Sequence, residues 1–438
     1  MATEHKLSLP TAILININIM MGAGIFINTV ELSKRAGLLS SFMYPLIGIL
    51  ILPLILAIAK LIQLHPSGGF YVFAQKEISP FVGFLSTWSY FIAKLASASL
   101  MIHVAMSLIT QIFPTLLNFG SLFALDIAVL TLFIGLNLLN MKTGSRIQFG
   151  FLSFKLIPVL FVIGAGLTLL VPTELASLPL IWEGIPSSLP LVLYAATGFE
   201  ATCALSSKIE NAERNGPRAI MISFAVMMTL VFLFQFLFYS SLGTVLADQA
   251  SYLGAFPALL QKLFPANFDL ANKLQAFFHL AIASSALGGC YGILYSNNWN
   301  LYILAQHEKV KGWKILTSLN RYSIPFLCIF TEWLFCFGYL FATAGSQLIL
   351  QQLAALGTTL TYTISVIALL RAYNKTQTSL NQKLIPIMAL LSCLIFIGAC
   401  IRNFIIGGII PLISLGFLLI LGLFIYNGAK KTERTSRS

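Results

Sequence analysis

Two short stretches decide the fold of this chain, because each places glycine in the middle of an apolar run. The first is Met20-Met21-Gly22-Ala23-Gly24-Ile25-Phe26. The second is Ala196-Thr197-Gly198-Phe199-Glu200-Ala201. A helix broken at bilayer depth leaves backbone N–H and C=O groups unpaired, which is tolerated only where they are buried in protein or line a cavity. We therefore predict that the two breaks form a binding site.

The composition around these stretches is that of a membrane protein. Of 438 residues, 58% are hydrophobic and 9% are charged, against roughly 45–50% apolar residues in soluble domains. A membrane-spanning helix needs about 20 mostly apolar residues. About twelve such runs occur, at roughly 9–30, 38–63, 80–113, 122–140, 147–171, 185–206, 217–246, 274–305, 323–343, 347–371, 384–402 and 405–427. The prediction is an all-α, polytopic membrane protein with one domain, 1–438, and no soluble appendage.

The spacing of the breaks predicts an internal symmetry. They lie in the first and sixth runs, five helices apart, and an odd separation makes two membrane-spanning helices run in opposite directions. This is what inverted repeats of five helices require. We predict one repeat over about 9–171, a second over about 185–371, and two further helices over about 384–427.

The charge distribution predicts the orientation. The formal net charge is +12, and most of the 26 Lys and Arg residues fall on the side that holds both termini if twelve spans are present. The positive-inside rule then places both termini in the cytoplasm. We expect the membrane to be the cell (inner) membrane. Topology thus accounts for the basic charge without a nucleic-acid partner. The six cysteines lack metal-ligand spacing, so no metal or cofactor is expected.

Four ionisable residues lie inside predicted spans, where each costs about 2.5–3.5 kcal/mol on insertion scales. Glu200 follows the second break and is predicted to carry a proton, to cap the turn, or both. Lys155 is predicted to supply a fixed or transferable positive charge, the alternative being that it reaches toward the interface. Lys94 is too deep for that, so we expect it to pair with Glu200 or a substrate carboxylate. Glu332 is left without a role.

The breaks suit a zwitterion. The positive end of the resumed helix favours a carboxylate, and the carbonyls of the unwound segment favour an ammonium. An amino acid carries both groups. The alternative is that Gly22 and Gly24 merely allow close helix packing, as small residues often do in membranes.

Three motifs resemble those of the amino acid-polyamine-organocation (APC) superfamily, across most of the chain. Residues 18–26 (NIMMGAGIF) are similar to its first-helix G-[SA]-G-[IV]-F signature, and residues 66–71 (PSGGFY) to its P-x-x-G-G-x-Y loop. Residues 197–200 (TGFE) and 209–218 (IENAERNGPR) resemble its G-F-E motif and the cytoplasmic loop that follows, with Ala212 where proline is usual. The resemblance implies the LeuT-type fold and transport by alternating access.

The resemblance also implies a set of site residues. Substrate would be held by Met21, Gly22, Ala23, Gly24, Ile25, Ala93, Lys94, Ala98, Tyr194, Thr197, Gly198 and Phe199. Gating aromatic residues would be Phe26, Tyr194 and Phe199. Lys155 resembles the fifth-helix lysine of sodium-independent, proton-coupled members, and would act with Glu200 in proton coupling. A lysine at position 94 departs from pockets built for cationic substrates, which favours neutral or acidic amino acids.

Several functions remain open at this point. Proton-coupled uptake and exchange of one amino acid for another use the same fold, and we favour proton coupling. A channel is disfavoured because no repeated filter is evident, and an enzyme because no catalytic constellation is evident. A transporter-like sensor would bind ligand without flux. The expected partners are an amino acid, protons and the lipid bilayer, and the oligomeric state is not predicted.

Overall fold

The computed structural model describes residues 6–66, 69–139, 141–200, 202 and 209–427. Within these ranges the chain is overwhelmingly helical. Its β-structure is limited to isolated bridges, so the predicted all-α fold is confirmed. Ser67 and Gly68 of the predicted loop motif lie outside the described residues. So do Ala201 and residues 203–208, which include five of the six residues of the sixth predicted span that follow Glu200.

Fifteen helices of eight or more residues occur within the described ranges. They are α1 (Leu9–Met20), α2 (Gly24–Ala36), α3 (Leu39–Leu64), α4 (Phe70–Glu77), α5 (Pro80–Ile112), α6 (Leu122–Asn137), α7 (Met141–Leu169), α8 (Ile185–Ala196), α9 (Ala212–Leu242), α10 (Ala255–Leu263), α11 (Phe268–Gln306), α12 (Phe326–Thr343), α13 (Gln347–Lys375), α14 (Leu380–Gly407) and α15 (Ile410–Ile425). Single helical turns connect several of them.

Seven of these helices are long and apolar enough to cross a membrane, counting only the described residues: α3, α5, α9, α11, α12, α13 and α14. The pair α1 and α2 forms an eighth candidate span, bent by 44° at the predicted first break. Shorter apolar helices are α6, α15 and the Phe154–Leu169 part of α7. The total of twelve spans stays a prediction.

Polar caps fix where several helices begin. The Ser79 hydroxyl accepts a hydrogen bond from the Val82 N–H, and Pro80 occupies the first helical position of α5. Ser8 and Ser121 cap α1 and α6 in the same way. Such side chains satisfy backbone N–H groups that a helix start leaves free. The helix that follows Ser79 is the most buried span and packs against α11 and α13.

The two interrupted segments lie side by side and run in opposite directions. The Asn28 side chain donates to the Leu191 carbonyl (2.8 Å), and seven residues further along α2 the Arg35 guanidinium donates to the Ser187 carbonyl (2.7 Å). On the other side of the breaks, Thr202 donates to Asn16 at 3.0 Å. Residue numbers rise along one segment as they fall along the other, which is the antiparallel arrangement that the spacing predicts. The repeat boundaries themselves stay a prediction.

Candidate substrate site

The first break is held open by a lysine. The Lys155 side chain on α7 is fully buried, and its ammonium donates to the carbonyl oxygens of Asn18 (2.7 Å) and Met21 (2.9 Å). The Ser285 hydroxyl on α11 also donates to the Met21 carbonyl, at 3.0 Å. These carbonyls would have accepted helical N–H groups if α1 had continued. The ammonium and the hydroxyl therefore replace the hydrogen bonds that the break removes.

The second break is a turn that only glycine fits easily. Helix α8 ends at Ala196, Thr197 is extended, and Gly198 has a φ of +121°. The Gly198 N–H donates to Oε2 of Glu200 at 2.8 Å. A Cβ on Gly198 would lie 2.9 Å from the backbone N of Met20, so the two breaks touch each other. Glu200 thus caps the turn at the place where the breaks meet.

Glu200 also forms a buried ion pair with α5. The Lys94 ammonium lies 2.7 Å from Glu200 Oε1, and the Tyr90 hydroxyl donates to the same oxygen at 3.1 Å. The Lys94 side chain is 5% exposed and the Glu200 side chain 0%. The structure therefore forms the pair that we expected between these two residues, and the carboxylate caps its turn as well.

A small cavity lies between the breaks and α5. Its volume is about 10 Å³, close to the minimum that holds one water molecule, so the site has no room for an amino acid in this conformation. The lining residues are Ile19, Met20, Gly22, Gly24, Lys94, Ser97, Met101, Tyr194, Ala195, Thr197 and Ile293. Within the described ranges, no three His, Cys, Asp or Glu side chains are grouped so as to hold a metal ion.

Five residues of the predicted substrate site line this cavity: Gly22, Gly24, Lys94, Tyr194 and Thr197. The Tyr194 ring lies against Gly24, and its hydroxyl forms a 3.0 Å hydrogen bond with the Ser97 hydroxyl. The sequence reasoning missed the other lining residues. For two of them a signal was available, because Ser97 and Met101 lie three and seven residues after Lys94 and so share its helix face.

The Met101 side chain fills space at the edge of the cavity, between the first break and α11. Its thioether end occupies the position that a Cβ on Gly22 would take, and its sulfur lies 2.8 Å from the position of a Cβ on Gly289. Gly22 Cα lies 3.1 Å from that same position, so α11 and the first break are in close backbone contact. The absence of side chains at Gly22 and Gly289 is what admits the methionine.

The remaining predicted substrate-binding residues do not line the cavity: Met21, Ala23, Ile25, Ala93, Ala98, Gly198 and Phe199. All are buried. Ala93 lies away from the cavity because its Cβ faces Gly357 on α13. Contact between these residues and a substrate stays a prediction.

The predicted gating residues Phe26 and Phe199 lie in separate aromatic clusters. Phe26 packs against Phe234 and Phe256, with ring centroids 5.6 and 6.5 Å away. Phe199 packs against Tyr362 and Phe224, at 5.8 and 5.7 Å. Because α2 and α8 are antiparallel, Phe26 lies beyond the breaks toward the start of α8, and Phe199 lies on the α1 side. The cavity therefore has one aromatic cluster toward each end.

Known proteins resemble this chain over most or part of its length. A family model described as amino acid permease matches residues 7–432. The low-affinity putrescine importer PlaP of Escherichia coli (strain K12) is 28% identical over 206 residues, which cover 44% of this chain and 44% of that relative. The serine permease SerP1 of Lactococcus lactis subsp. cremoris (strain MG1363) is 24% identical over 337 residues, 70% of this chain and 69% of that relative.

The match to the putrescine importer spans less than half the length of that relative, whereas the family model covers nearly the whole of this chain. The resemblance to the APC superfamily is confirmed by this match and by both relatives. The apolar helices and the broken pair at Met20 and Gly24 agree with it. This chain is an integral multi-pass membrane protein that belongs to the amino acid permease family.

Proposed function

We propose that this chain is a secondary active transporter that moves amino acids across the inner cell membrane by alternating access, without sodium and coupled to protons. We also propose that both termini are cytoplasmic, as the distribution of Lys and Arg residues predicts. The observation that carries the proposal is the contact of the Lys155 ammonium with the Asn18 and Met21 carbonyls, at 2.7 and 2.9 Å. The Lys155 ammonium supplies the positive charge that a bound cation would otherwise supply to these carbonyl oxygens.

The physical argument concerns what happens when Lys155 loses its proton. The described part of the chain pairs no carboxylate with this lysine, so its charge rests on the two carbonyl dipoles. A neutral amine donates more weakly than an ammonium. Deprotonation would therefore loosen the break, and the conformation of α1 and α2 would depend on a proton. This supports symport of protons with substrate.

The charges at the cavity indicate the class of substrate. Glu200 already accepts from Lys94, Tyr90 and the Gly198 N–H, so it has little capacity left for a cationic substrate. The ammonium of Lys94 also lines the cavity and repels a second cation. We therefore propose neutral or acidic amino acids as substrates. A diamine such as putrescine is the alternative that one relative suggests.

Exchange of one amino acid for another is the second candidate mechanism, because the same breaks and gates would serve it. A sensor would use the site without flux, and a channel would need a continuous pore. A cavity of only about 10 Å³ between two aromatic clusters is not a continuous pore, which favours alternating access over a channel.

The test is uptake of labelled serine, aspartate and putrescine into proteoliposomes, with either an imposed pH gradient or unlabelled substrate inside. The variants are wild type, Lys155→Ala and Lys262→Ala. Lys262 is a matched control because it also donates to a backbone carbonyl, that of Ser241 at 2.7 Å, but lies away from the breaks.

We expect gradient-driven accumulation of serine or aspartate that Lys155→Ala abolishes and Lys262→Ala leaves in place. Flux that appears only with internal substrate would establish exchange instead. Accumulation driven only by a sodium gradient would overturn proton coupling. Saturable binding without flux under any condition would indicate a sensor.

A further inference from the structure

Another buried carboxyl group lies on α12, a helix that packs against α5. Glu332 on α12 is fully buried, and its carboxyl oxygens form no hydrogen bond of ordinary geometry among the described residues, although the Asn297 side chain lies close enough to interact with them. The side chain of Asn297 on α11 is the polar group that faces it. The role proposed above for Lys155 and Glu200 makes no use of this residue.

The surroundings of Glu332 do not compensate a charge. A buried carboxylate without a partner is far more costly than a neutral acid in the same place. The titratable groups close to it are the thiols of Cys290 on α11 and of Cys328 and Cys336 on α12. None of them supplies a positive charge. These surroundings therefore favour the neutral carboxylic acid over the carboxylate.

The other charged or titratable groups on the helices that pack against α12 are paired elsewhere or exposed. On α11, Lys273 pairs with Asp269 at 2.6 Å, and His279 interacts with the Leu253 backbone. On α13, Arg371 is exposed. On α5, Lys94 pairs with Glu200. His103, also on α5, contacts Asp126 of α6 at 2.8 Å. Lys375 at the end of α13 pairs with Glu77 at 3.0 Å. None of these ion pairs includes Glu332, so they do not compensate a charge on its carboxyl group.

Hydrogen bonds connect the Glu332 environment to the turn of α5 that carries Lys94. The Asn297 amide donates to the Phe91 carbonyl at 3.1 Å. The Tyr339 hydroxyl on α12 donates to the Ile92 carbonyl at 2.9 Å. Phe91 and Ile92 lie within one helical turn before Lys94. Asn297 therefore stands between the Glu332 carboxyl group and the backbone that positions the Lys94–Glu200 pair.

We propose that Glu332 is a proton-binding site, and that Asn297 transmits its protonation state to α5. With Glu332 protonated, the Asn297 amide donates to the Phe91 carbonyl, as in this structure. When the proton leaves to water in another conformation of the cycle, the carboxylate becomes the stronger acceptor and draws the amide away from Phe91. The α5 turn then moves, and with it Lys94. This inference rests on the proposed transport function.

The test uses Glu332→Gln, which mimics the protonated acid permanently, together with Glu332→Asp and Asn297→Ala. The control is Glu31→Gln, at a partly exposed carboxyl group that forms ion pairs with Lys34 and Arg35 of its own helix. Two quantities are measured on purified full-length protein. One is the infrared absorption of protonated carboxyl groups, and the other is the pH profile of exchange in proteoliposomes that contain unlabelled substrate.

We expect Glu332→Gln to lose one protonated-carboxyl band and to flatten the pH profile while exchange itself continues. Asn297→Ala should flatten the profile but keep the band, Glu332→Asp should restore pH dependence, and Glu31→Gln should match wild type. A wild-type spectrum in Glu332→Gln would overturn the proposal, and so would loss of the band with an unchanged pH profile. Absence of flux in wild type would refute the transport function, whereas the infrared result would still decide whether Glu332 holds a proton.

Discussion

The Lys94 ammonium and the Glu200 carboxylate lie 2.7 Å apart, and this ion pair joins α5 to the second break. Glu200 also accepts the Gly198 N–H at 2.8 Å. One carboxylate therefore fixes the turn that interrupts a helix and pairs with the lysine whose ammonium lines the cavity. Its two contacts place a charge pair at the meeting point of the breaks.

The pair should show strong coupling in a double-mutant cycle. Lys94→Met and Glu200→Gln each leave a buried charge or polar group without its partner, so each should cost about 3–5 kcal/mol of stability. The double variant should cost clearly less than the sum of the two. Thermal unfolding in detergent measures both effects.

The control for this cycle is Lys273→Met. Lys273 pairs with Asp269 at 2.6 Å, but both side chains are more than 70% exposed, at 73% and 77%. Exposed pairs of this kind contribute about 0–1 kcal/mol. Strictly additive single variants at Lys94 and Glu200 would show that the pair does not act as a unit.

Gly198→Ala should prevent a functional second break. The φ of +121° is strained for any L side chain, and a Cβ would meet the Met20 backbone N at 2.9 Å. We expect loss of transport together with a lower melting temperature. Gly312→Ala is the matched control, because Gly312 also has a positive φ (+76°) but has open space around the Cβ position. It should lose about 1–2 kcal/mol and keep transport.

Ser285→Ala should slow transport without abolishing it. The variant removes one donor to the Met21 carbonyl, while the Lys155 ammonium remains at 2.9 Å. A typical hydrogen bond contributes about 1 kcal/mol, which corresponds to a change of about fivefold in rate. Initial rates of uptake measure this effect.

Ser296→Ala is the control for Ser285→Ala. Its hydroxyl is also on α11 but donates to the carbonyl of Gly292 within the same helix, at 2.9 Å. It should leave the rate unchanged. A complete loss of transport in Ser285→Ala, as large as that of Lys155→Ala, would contradict the assignment of the main role to the lysine.

Met101→Ala should shift substrate preference toward larger side chains. The methionine fills the space beside Gly22 and Gly289, so its removal enlarges the site where substrate is proposed to bind. An added methylene in an apolar pocket is worth about 1–3 kcal/mol in discrimination. Competition of leucine and alanine against labelled serine measures the shift.

Met106→Ala serves as the control for the methionine, since Met106 is buried on the same helix but does not line the cavity. Both variants should lose stability, because each leaves a void in a packed interior. Only Met101→Ala should change the order of preference. An unchanged order would place substrate away from Met101.

The amino-acid sequence by itself determined that this is an all-α, multi-pass membrane protein and where the breaks lie. Runs of about 20 apolar residues predict spans because a helix must bury its backbone polar groups across a bilayer of fixed thickness. Gly198 marks the second break because its φ of +121° favours glycine, whereas Gly22 and Gly24 mark the first because they leave room for the Met101 and Tyr194 side chains. The expense of a charge at depth singled out Lys94, Lys155, Glu200 and Glu332.

The tertiary structure decided which atoms meet. The partner of Lys155, a pair of backbone carbonyls on α1, leaves no signal in residue type, and so the sequence offered two readings of this lysine. Met101 fills the site because α11 and the first break lie close together around it. The sequence of one helix does not show how closely another helix approaches it. Periodicity fixes the faces of one helix at a time, whereas a pocket is made where faces of several helices are packed together.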